Sequence, residues 1–407
     1  MQKMNRDDFP ILSETVYGKP LVYLDNAATT QKPRQMLDAM ADAYLYRNAN
    51  IHRGVHHLSQ VATERHEQAR QRVAEFLGAR SEKEIVFTKG TTDSINMLAF
   101  SFGEAFVRKD DEIIVSQLEH HSNIVPWQML CERKQARLRV LPLDGNLRID
   151  ASALEGLVNE RTRLISVAHV SNVLGAIQPV EDIVRIAQRH HIPVCIDGAQ
   201  SAPHMPIDVQ ALDCDFYVCS AHKMYGPTGL GVLYGKQEWL EQLPPAEGGG
   251  EMIDHVRFEK TTYNQLPYKF EAGTPDFIGS CAFAAALDYI DSAGRESVCR
   301  HESELTDYLE RRLAETEGVR IYSKGTAKAG AVSFNVYQGD RLLHPFDVGT
   351  LLDRQGVAVR TGHHCAEPLM DYLHILGTVR ASIALYNNRE DIDALIAALR
   401  KAIAMLG

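Results

Sequence analysis

The sequence predicts an α/β fold, a large domain on a mainly parallel seven-stranded sheet followed by a smaller α+β domain. The first observation behind this is a rhythm. From about residue 84 to 236, short apolar β-rich runs alternate with helical patterns, as they do in an α/β domain. The second is the character of the runs: several are apolar on both faces, as strands covered by helices on each side must be. The third is a change of pattern. After about residue 281, long helices lead into mixed strands and a terminal helix.

The strand candidates follow in order as EIVFT (84–88), DEIIVSQ (111–117), RLRVLPL (137–143), TRLISVAHV (162–170), IPVCIDG (192–198), CDFYVCS (214–220) and GLGVLYG (229–235). Segments between them, such as EDIVRIAQRHH, place apolar residues at helical spacing. Residues 240–280, with PPAEGGGEM and FEAGTPDF, read as an extended loop region. Beyond them come VRIYS, AVSFNV, VAVRTG and VRASIALY, then the helix EDIDALIAALRKAIAML. The expected division is a large domain over 21–280 and a small domain formed by 1–20 with 281–407.

With 407 residues, 45% hydrophobic and 24% charged, the chain is long enough for two cores. A net charge of -10 and the lack of a Lys/Arg cluster argue against nucleic acid as a partner. No apolar run approaches the ~20 residues of a membrane span. The opening MQKMNRDDFPIL carries charges where a signal peptide is apolar, so a cytoplasmic location is expected. The seven cysteines are scattered and form no CxxC pair. Cys195 and Cys219 read as small core residues, and Cys131, Cys214, Cys281 and Cys299 likewise. The His-His pairs at 56–57 and 190–191 lack the spacing of a zinc site, and no metal is expected.

Ligands of open α/β sheets sit beyond the carboxyl ends of the strands. EIVFT runs into GTTDSIN, where Thr91 and Thr92 open a helix. This is either an anion site or an ordinary N-cap. IPVCIDGAQS places Asp197 at the end of a buried strand, with Gln200 three residues on. That carboxylate either caps the structure or pairs with a pyridinium nitrogen. In CDFYVCSAHKMYGPTGLG, Ser220, His222 and Lys223 follow another buried strand. A lysine entering such a site is costly to desolvate unless its charge is used or removed, as in an imine with an aldehyde cofactor.

The run DGAQ…SAHKMYGPTG resembles the cofactor segment of the class V aminotransferase group within fold-type I pyridoxal-phosphate enzymes. The resemblance implies that Lys223 holds pyridoxal 5'-phosphate and that Asp197 pairs with the ring nitrogen. It makes Gln200 a partner of the phenolic oxygen and gives the phosphate to Thr91, Thr92, Ser220 and His222. His120 in SQLEHHSN matches the imidazole that stacks on the ring and takes part in catalysis. Asn172 in HVSNVLG matches the Asn beside the substrate carboxylate. FEAGTP resembles the loop that reaches the neighbouring subunit's phosphate through Thr274, which implies a homodimer.

VAVRTGHHCAEPLM places Cys365 just after a strand end, between Gly, His and Ala, on an accessible loop. Two histidines and Arg360 nearby favour its thiolate. RTGHHCA is similar to the persulfide-forming loop of the SUF-type branch of cysteine desulfurases. In that branch Arg380, opening VRASIALYN, would grip the substrate carboxylate beside Arg360, as an Arg fork suits a planar carboxylate. YLDNAAT, HRGVHHLS and SNIVPWQML extend the resemblance along the chain, with Asp93 standing where Glu is expected and a possible length difference between Gly250 and Phe270. The resemblance implies desulfuration of L-cysteine to L-alanine through a persulfide on Cys365. It also implies selenocysteine lyase activity and a SufE-like sulfur acceptor feeding an iron–sulfur scaffold of the SUF complex. The alternatives are a β-lyase that does not need Cys365, an aminotransferase, and a non-catalytic scaffold.

Overall fold

A computed structural model describes residues 5–406; the opening MQKM and Gly407 lie outside the described residues. Each strand run between 84 and 235 forms a strand. They are β1 (Ile85–Thr88), β2 (Glu112–Ser116), β3 (Arg137–Leu141), β4 (Thr162–Ala168), β5 (Val194–Asp197), β6 (Phe216–Ser220) and β7 (Gly231–Gly235). They make one seven-stranded sheet in the order β1-β7-β6-β5-β4-β2-β3. The central pairings are parallel, while β7 runs antiparallel to both β1 and β6. The link from β6 to β7 holds only a short 3-10 turn at Ala221–Lys223, and without a crossover helix the chain can only turn back on itself.

Alternate strand residues feed opposite faces. Ile85, Phe87, Ile114, Ile196 and Val232 join one core, whereas Val86, Ile113, Val115, Cys195 and Leu233 join the other. Strand β3 lies at the sheet edge with Arg137 exposed, which discourages pairing with another chain. Helices α1 (Arg34–Tyr46) and α2 (His57–Leu77) pack against α4 (Phe277–Ala293); α3 (Thr91–Phe106) follows β1.

The 240–280 stretch is not an extended loop throughout. Ile253–Val256 (β8) and Thr261–Tyr263 (β9) pair as an antiparallel hairpin. Thr261, Thr262 and Tyr263 are strand formers, but runs this short and largely exposed carry no readable alternation. Helix α4 crosses residue 280, and its Ala282, Phe283, Ala286 and Leu287 lie in the larger core.

The second sheet contains β10 (Val319–Ile321), β11 (Ala331–Gln338), β12 (Arg341–Leu343), β13 (Arg360–Gly362) and β14 (Thr378–Ser382). Its order is β10-β11-β14-β13, with β12 on the free part of β11, all antiparallel. Leu305 and Leu309 of α5 (Arg295–Ala314), with Leu395 and Leu399 of α6 (Arg389–Leu406), cover Phe334 and Ala381. VAVRTG divides in two: Val357–Ala358 pairs with Val22–Tyr23, and Arg360–Gly362 joins the sheet. Phe9 and Leu12 enter the larger core and Leu24 the smaller, so the N-terminal segment is shared between the two. Cys131, Cys195, Cys214 and Cys219 are buried, but Cys281 and Cys299 are only half-buried. Among the described residues no helix is long and apolar enough to cross a membrane.

Candidate active site

The carboxyl ends of β1, β4, β5 and β6 meet strands β13 and β14 of the second sheet around a cavity of about 180 Å³. Thr91, Thr92, Ser220 and His222 line one end of it. Gly90 (φ +148°) lets the chain turn from β1 into α3. A Cβ on Gly231 would lie 2.4 Å from the Gly90 Cα, so β7 can pass this turn only as glycine. The Thr91 N–H and Oγ1 both reach Ser220 Oγ, at 2.8 and 2.7 Å, and Thr92 Oγ1 lies 2.6 Å from Ser122 Oγ. Gly90 has no side chain with which to cap α3, and Ser220 takes only the first N–H. Of the two sequence readings of this turn, the geometry favours the anion site, because the N–H groups of Thr92 and Asp93 remain for a ligand beside cavity-lining hydroxyls. Asp93 Oδ2 accepts the Lys89 N–H at 2.9 Å, so the shorter acid closes the preceding turn.

Asp197 ends β5 and is buried. Burial raises its pKa, opposed by the Ala199 N–H, which donates to Oδ1 at 2.9 Å, and by Lys223. Gln200 Nε2 donates to the Ala27 carbonyl at 2.8 Å. Lys223 follows β6 by the single 3-10 turn. Burial, with Arg380 and Arg360 nearby, lowers its amine to about 8 against the pull of Asp197. Burial also pushes His222 down to about 4, with Lys223 and Lys32 adding to it. For His120 burial acts first and Lys223 second, giving about 3. His120 Nδ1 accepts the Ser122 N–H at 3.0 Å, so the neutral ring carries its hydrogen on Nε2.

At the other end Arg380 of β14 is buried, with Nη1 donating to the Asn172 carbonyl at 2.6 Å and Nη2 to Asp25 at 3.1 Å. Its Nε is buried without a partner. Burial lowers this guanidinium to about 10, offset by Asp25. Asn172 Nδ2 donates to the His364 carbonyl at 2.7 Å. Arg360 lines the cavity and its Nη2 donates to Cys365 Sγ at 3.4 Å.

Two of the expected site residues stand apart. Cys365 is half-buried beside the lining, linked to it through Arg360. Thr274 is exposed and does not line the cavity of its own chain. The expectation that both loop histidines attend the thiol needs correction. His364 turns its ring to Thr378, and His363 Nδ1 accepts the Cys365 backbone N–H at 3.1 Å; neither ring bonds the sulfur. Sequence reasoning gave no role to Asp25, the partner of Arg380, or to His121, whose N–H donates to the Cys365 carbonyl at 2.7 Å. The acid in YLDNAAT follows a short strand, but nothing local to it names Arg380 as its partner. Among the described residues no group of His, Cys, Asp and Glu is placed to hold a metal ion.

These residues fit pyridoxal phosphate. An uncapped helix N-terminus and hydroxyls suit its phosphate, a buried carboxylate suits a pyridinium N–H, and an amine lowered to about 8 suits its aldehyde.

Residues 22–395 match the profile of the family described as aminotransferase class-V. A probable cysteine desulfurase of Halalkalibacterium halodurans is 49% identical over 401 residues, 98% of this chain and 97% of its own. A cysteine desulfurase of Escherichia coli (strain SE11) is 47% identical over 403 residues, 99% of this chain and 98% of its own. The crystal structure of the cysteine desulfurase CsdA from Escherichia coli superposes with a TM-score of 0.90 at 39% identity, covering 99% of this chain and 98% of that one. Matched in this way over nearly its whole length, the chain belongs to the class-V aminotransferase family and is a pyridoxal-phosphate enzyme of fold-type I.

Proposed function

We propose that the chain is a SUF-type cysteine desulfurase that converts L-cysteine to L-alanine and keeps the sulfur as a persulfide on Cys365. One observation carries this reading: the only cysteine beside the cavity, among the described residues, has its sulfur against Arg360, while Lys223 enters the same cavity with a lowered pKa. When bound, pyridoxal phosphate supplies an electron sink for the substrate Cα. Arg380, whose Nε has no other partner, takes the substrate carboxylate together with Asn172 and Arg360. Lys223 removes the Cα proton. Cys365 attacks the substrate sulfur, the Cβ–S bond breaks, and a proton from His120 Nε2 helps to complete alanine. Thr91, Thr92, Ser220 and His222 hold the phosphate, Asp197 the ring nitrogen and Gln200 the phenolic oxygen.

The wider assignments follow from the resemblance. The enzyme works as a homodimer in which the exposed Thr274 of one copy completes the phosphate site of the other. Its persulfide passes to a SufE-like acceptor serving iron–sulfur assembly in the cytoplasm, and it also acts as a selenocysteine lyase. The large unit covers 21–280 and the small unit 1–20 with 281–407, a division that α4 straddles. The test is product analysis with cysteine and with selenocysteine. Alanine from both, with sulfide appearing from cysteine on adding reductant, supports the reading. 3-Mercaptopyruvate in place of alanine would mark an aminotransferase, and pyruvate with ammonia a β-lyase.

A further inference from the structure

The segment carrying Cys365 is held in a backbone shape that its residues disfavour. His364 has φ +53° and Cys365 φ +57°, the left-handed region that residues with a Cβ seldom enter. Two in succession persist only where the surroundings over-determine them. Asn172 Nδ2 donates to the His364 carbonyl at 2.7 Å, and the His121 N–H donates to the Cys365 carbonyl at 2.7 Å. The Cys365 N–H donates to His363 Nδ1 at 3.1 Å. The remaining hold is the His364 ring, buried, with Nε2 2.9 Å from Thr378 Oγ1 and 3.2 Å from the Thr378 carbonyl.

The direction of that last bond follows from its neighbours. Ser333 Oγ donates to the Val173 carbonyl at 2.6 Å, and Thr378 Oγ1 donates to Ser333 Oγ at 3.2 Å. The Thr378 hydroxyl hydrogen is already used, so His364 Nε2 carries the ring hydrogen and donates. Its Nδ1 keeps a lone pair and is buried without a partner. Burial, with Arg380 and Arg360 nearby, pushes this imidazole down to about 2. It therefore stays neutral, and the bond keeps its direction.

We propose that His364 is a positioning residue for sulfur transfer: its ring, fastened to Thr378, holds Cys365 in the left-handed conformation that presents Sγ to Arg360 beside the cavity. The inference rests on the reading of Cys365 as the sulfur acceptor. The ring does not bond the sulfur and acts through the backbone. Thr378 lies in β14, the strand that carries Arg380, and Asn172 bonds both Arg380 and His364. The carboxylate grip and the sulfur acceptor thus share one frame, which fixes the distance a bound substrate must bridge.

Three variants of the cofactor-loaded enzyme test this. His364→Ala removes the ring. Thr378→Val removes the hydroxyl acceptor without touching the loop, and serves where His364→Ala does not fold. His364→Gln keeps an N–H donor near the position of Nε2. The readouts are the rate of iodoacetamide alkylation of Cys365 without substrate, the single-turnover rate of persulfide formation on Cys365, and the cysteine concentration dependence of the cofactor absorption change. The expected result for His364→Ala is persulfide formation slowed on the order of a hundredfold, with a changed alkylation rate and unchanged cysteine binding. Thr378→Val moves both rates in the same direction, and His364→Gln recovers most of the loss. Wild-type rates in both His364→Ala and Thr378→Val would overturn the proposal. So would equal losses of cysteine binding and transfer without recovery in His364→Gln, the mark of a packing defect. If wild-type Cys365 carries no persulfide, the desulfurase reading fails, and the alkylation rates alone decide whether His364 sets the geometry of the thiol.

Discussion

Arg380 is costly to keep where it is. It is buried, pairs with Asp25, and leaves Nε without an acceptor. A buried guanidinium donor left unpaired costs about 1–3 kcal/mol, so the site is arranged to be completed by an acceptor from outside. A carboxylate supplies one, and the planar fork matches its geometry. Arg380→Lys keeps the charge and loses the fork. A charge-assisted bond of about 1.5–3 kcal/mol then corresponds to a rise in KM for cysteine of roughly 10–100-fold, with cofactor absorption preserved. Steady-state kinetics check this; an unchanged KM would mean that Arg380 serves the fold alone. Lys223, which lines the cavity, and Cys365, which lies beside it, stand out in the sequence because each sits in a short distinctive string, SAHKMYGPTG and RTGHHCA. Asp25 does not. Its partner lies 355 residues away, and no local pattern encodes a pairing made only when the N-terminal segment settles against β14.

At the scale of elements, the strands that carry the site were legible because β1, β2, β5, β6 and β7 are buried throughout. Burial on both faces demands continuous apolar runs, and their ends mark where ligands sit. The β8–β9 hairpin was not, since His255, Val256 and Tyr263 face solvent and impose no pattern. The antiparallel β7 was equally hidden in a sequence of parallel-looking strands. Its place depends on Gly231, which passes the Gly90 turn with no room for a Cβ. Gly231→Ala forces apart β7 and the segment entering α3. It is expected to lower stability by about 1–3 kcal/mol, the usual cost of overpacking, and to weaken cofactor retention by shifting Thr91 from Ser220. Urea unfolding and cofactor release measure the two effects. A variant with wild-type values in both would show that the contact is relieved without cost.

For the whole molecule, burial of imidazoles sets the response to acid. Burial pushes His66 down to about 3, His169 to about 4 and His364 to about 2, against about 6.5 in an unfolded chain. Below 6.5 the unfolded chain therefore binds more protons than the folded one. The contribution of these groups to stability is complete above about 6.5 and is lost as pH falls toward the folded values. His52 opposes this, because its bond to Glu67 raises its pKa and favours the folded state at lower pH. With His120, His121 and His222 also lowered, six depressed imidazoles outweigh His52 and the raised carboxyls of Glu119, at about 7, Asp25 and Asp197. The urea midpoint should fall steadily from pH 7 to pH 5, and a flat or rising midpoint would contradict the burial of these rings. The placement of α4 was also out of reach of sequence. Its run from Phe277 to Ala293 straddles residue 280, and it packs into a core that also takes in Val298, Ala366 and Tyr386.

The central claim is that Cys365 takes sulfur from cysteine in a cavity where Lys223 and Arg380 handle the rest of the substrate. It is tested most directly by the mass of the Cys365 peptide, isolated without reductant after a single turnover with cysteine, together with alanine released by wild type and by Cys365→Ala. The account predicts one added sulfur atom on the wild-type peptide, with alanine formed to match. It predicts near-complete loss of alanine from cysteine in Cys365→Ala, which keeps its colour and its activity on selenocysteine. Alanine formed from cysteine by Cys365→Ala at the wild-type rate, with no sulfur on the wild-type peptide, would contradict it.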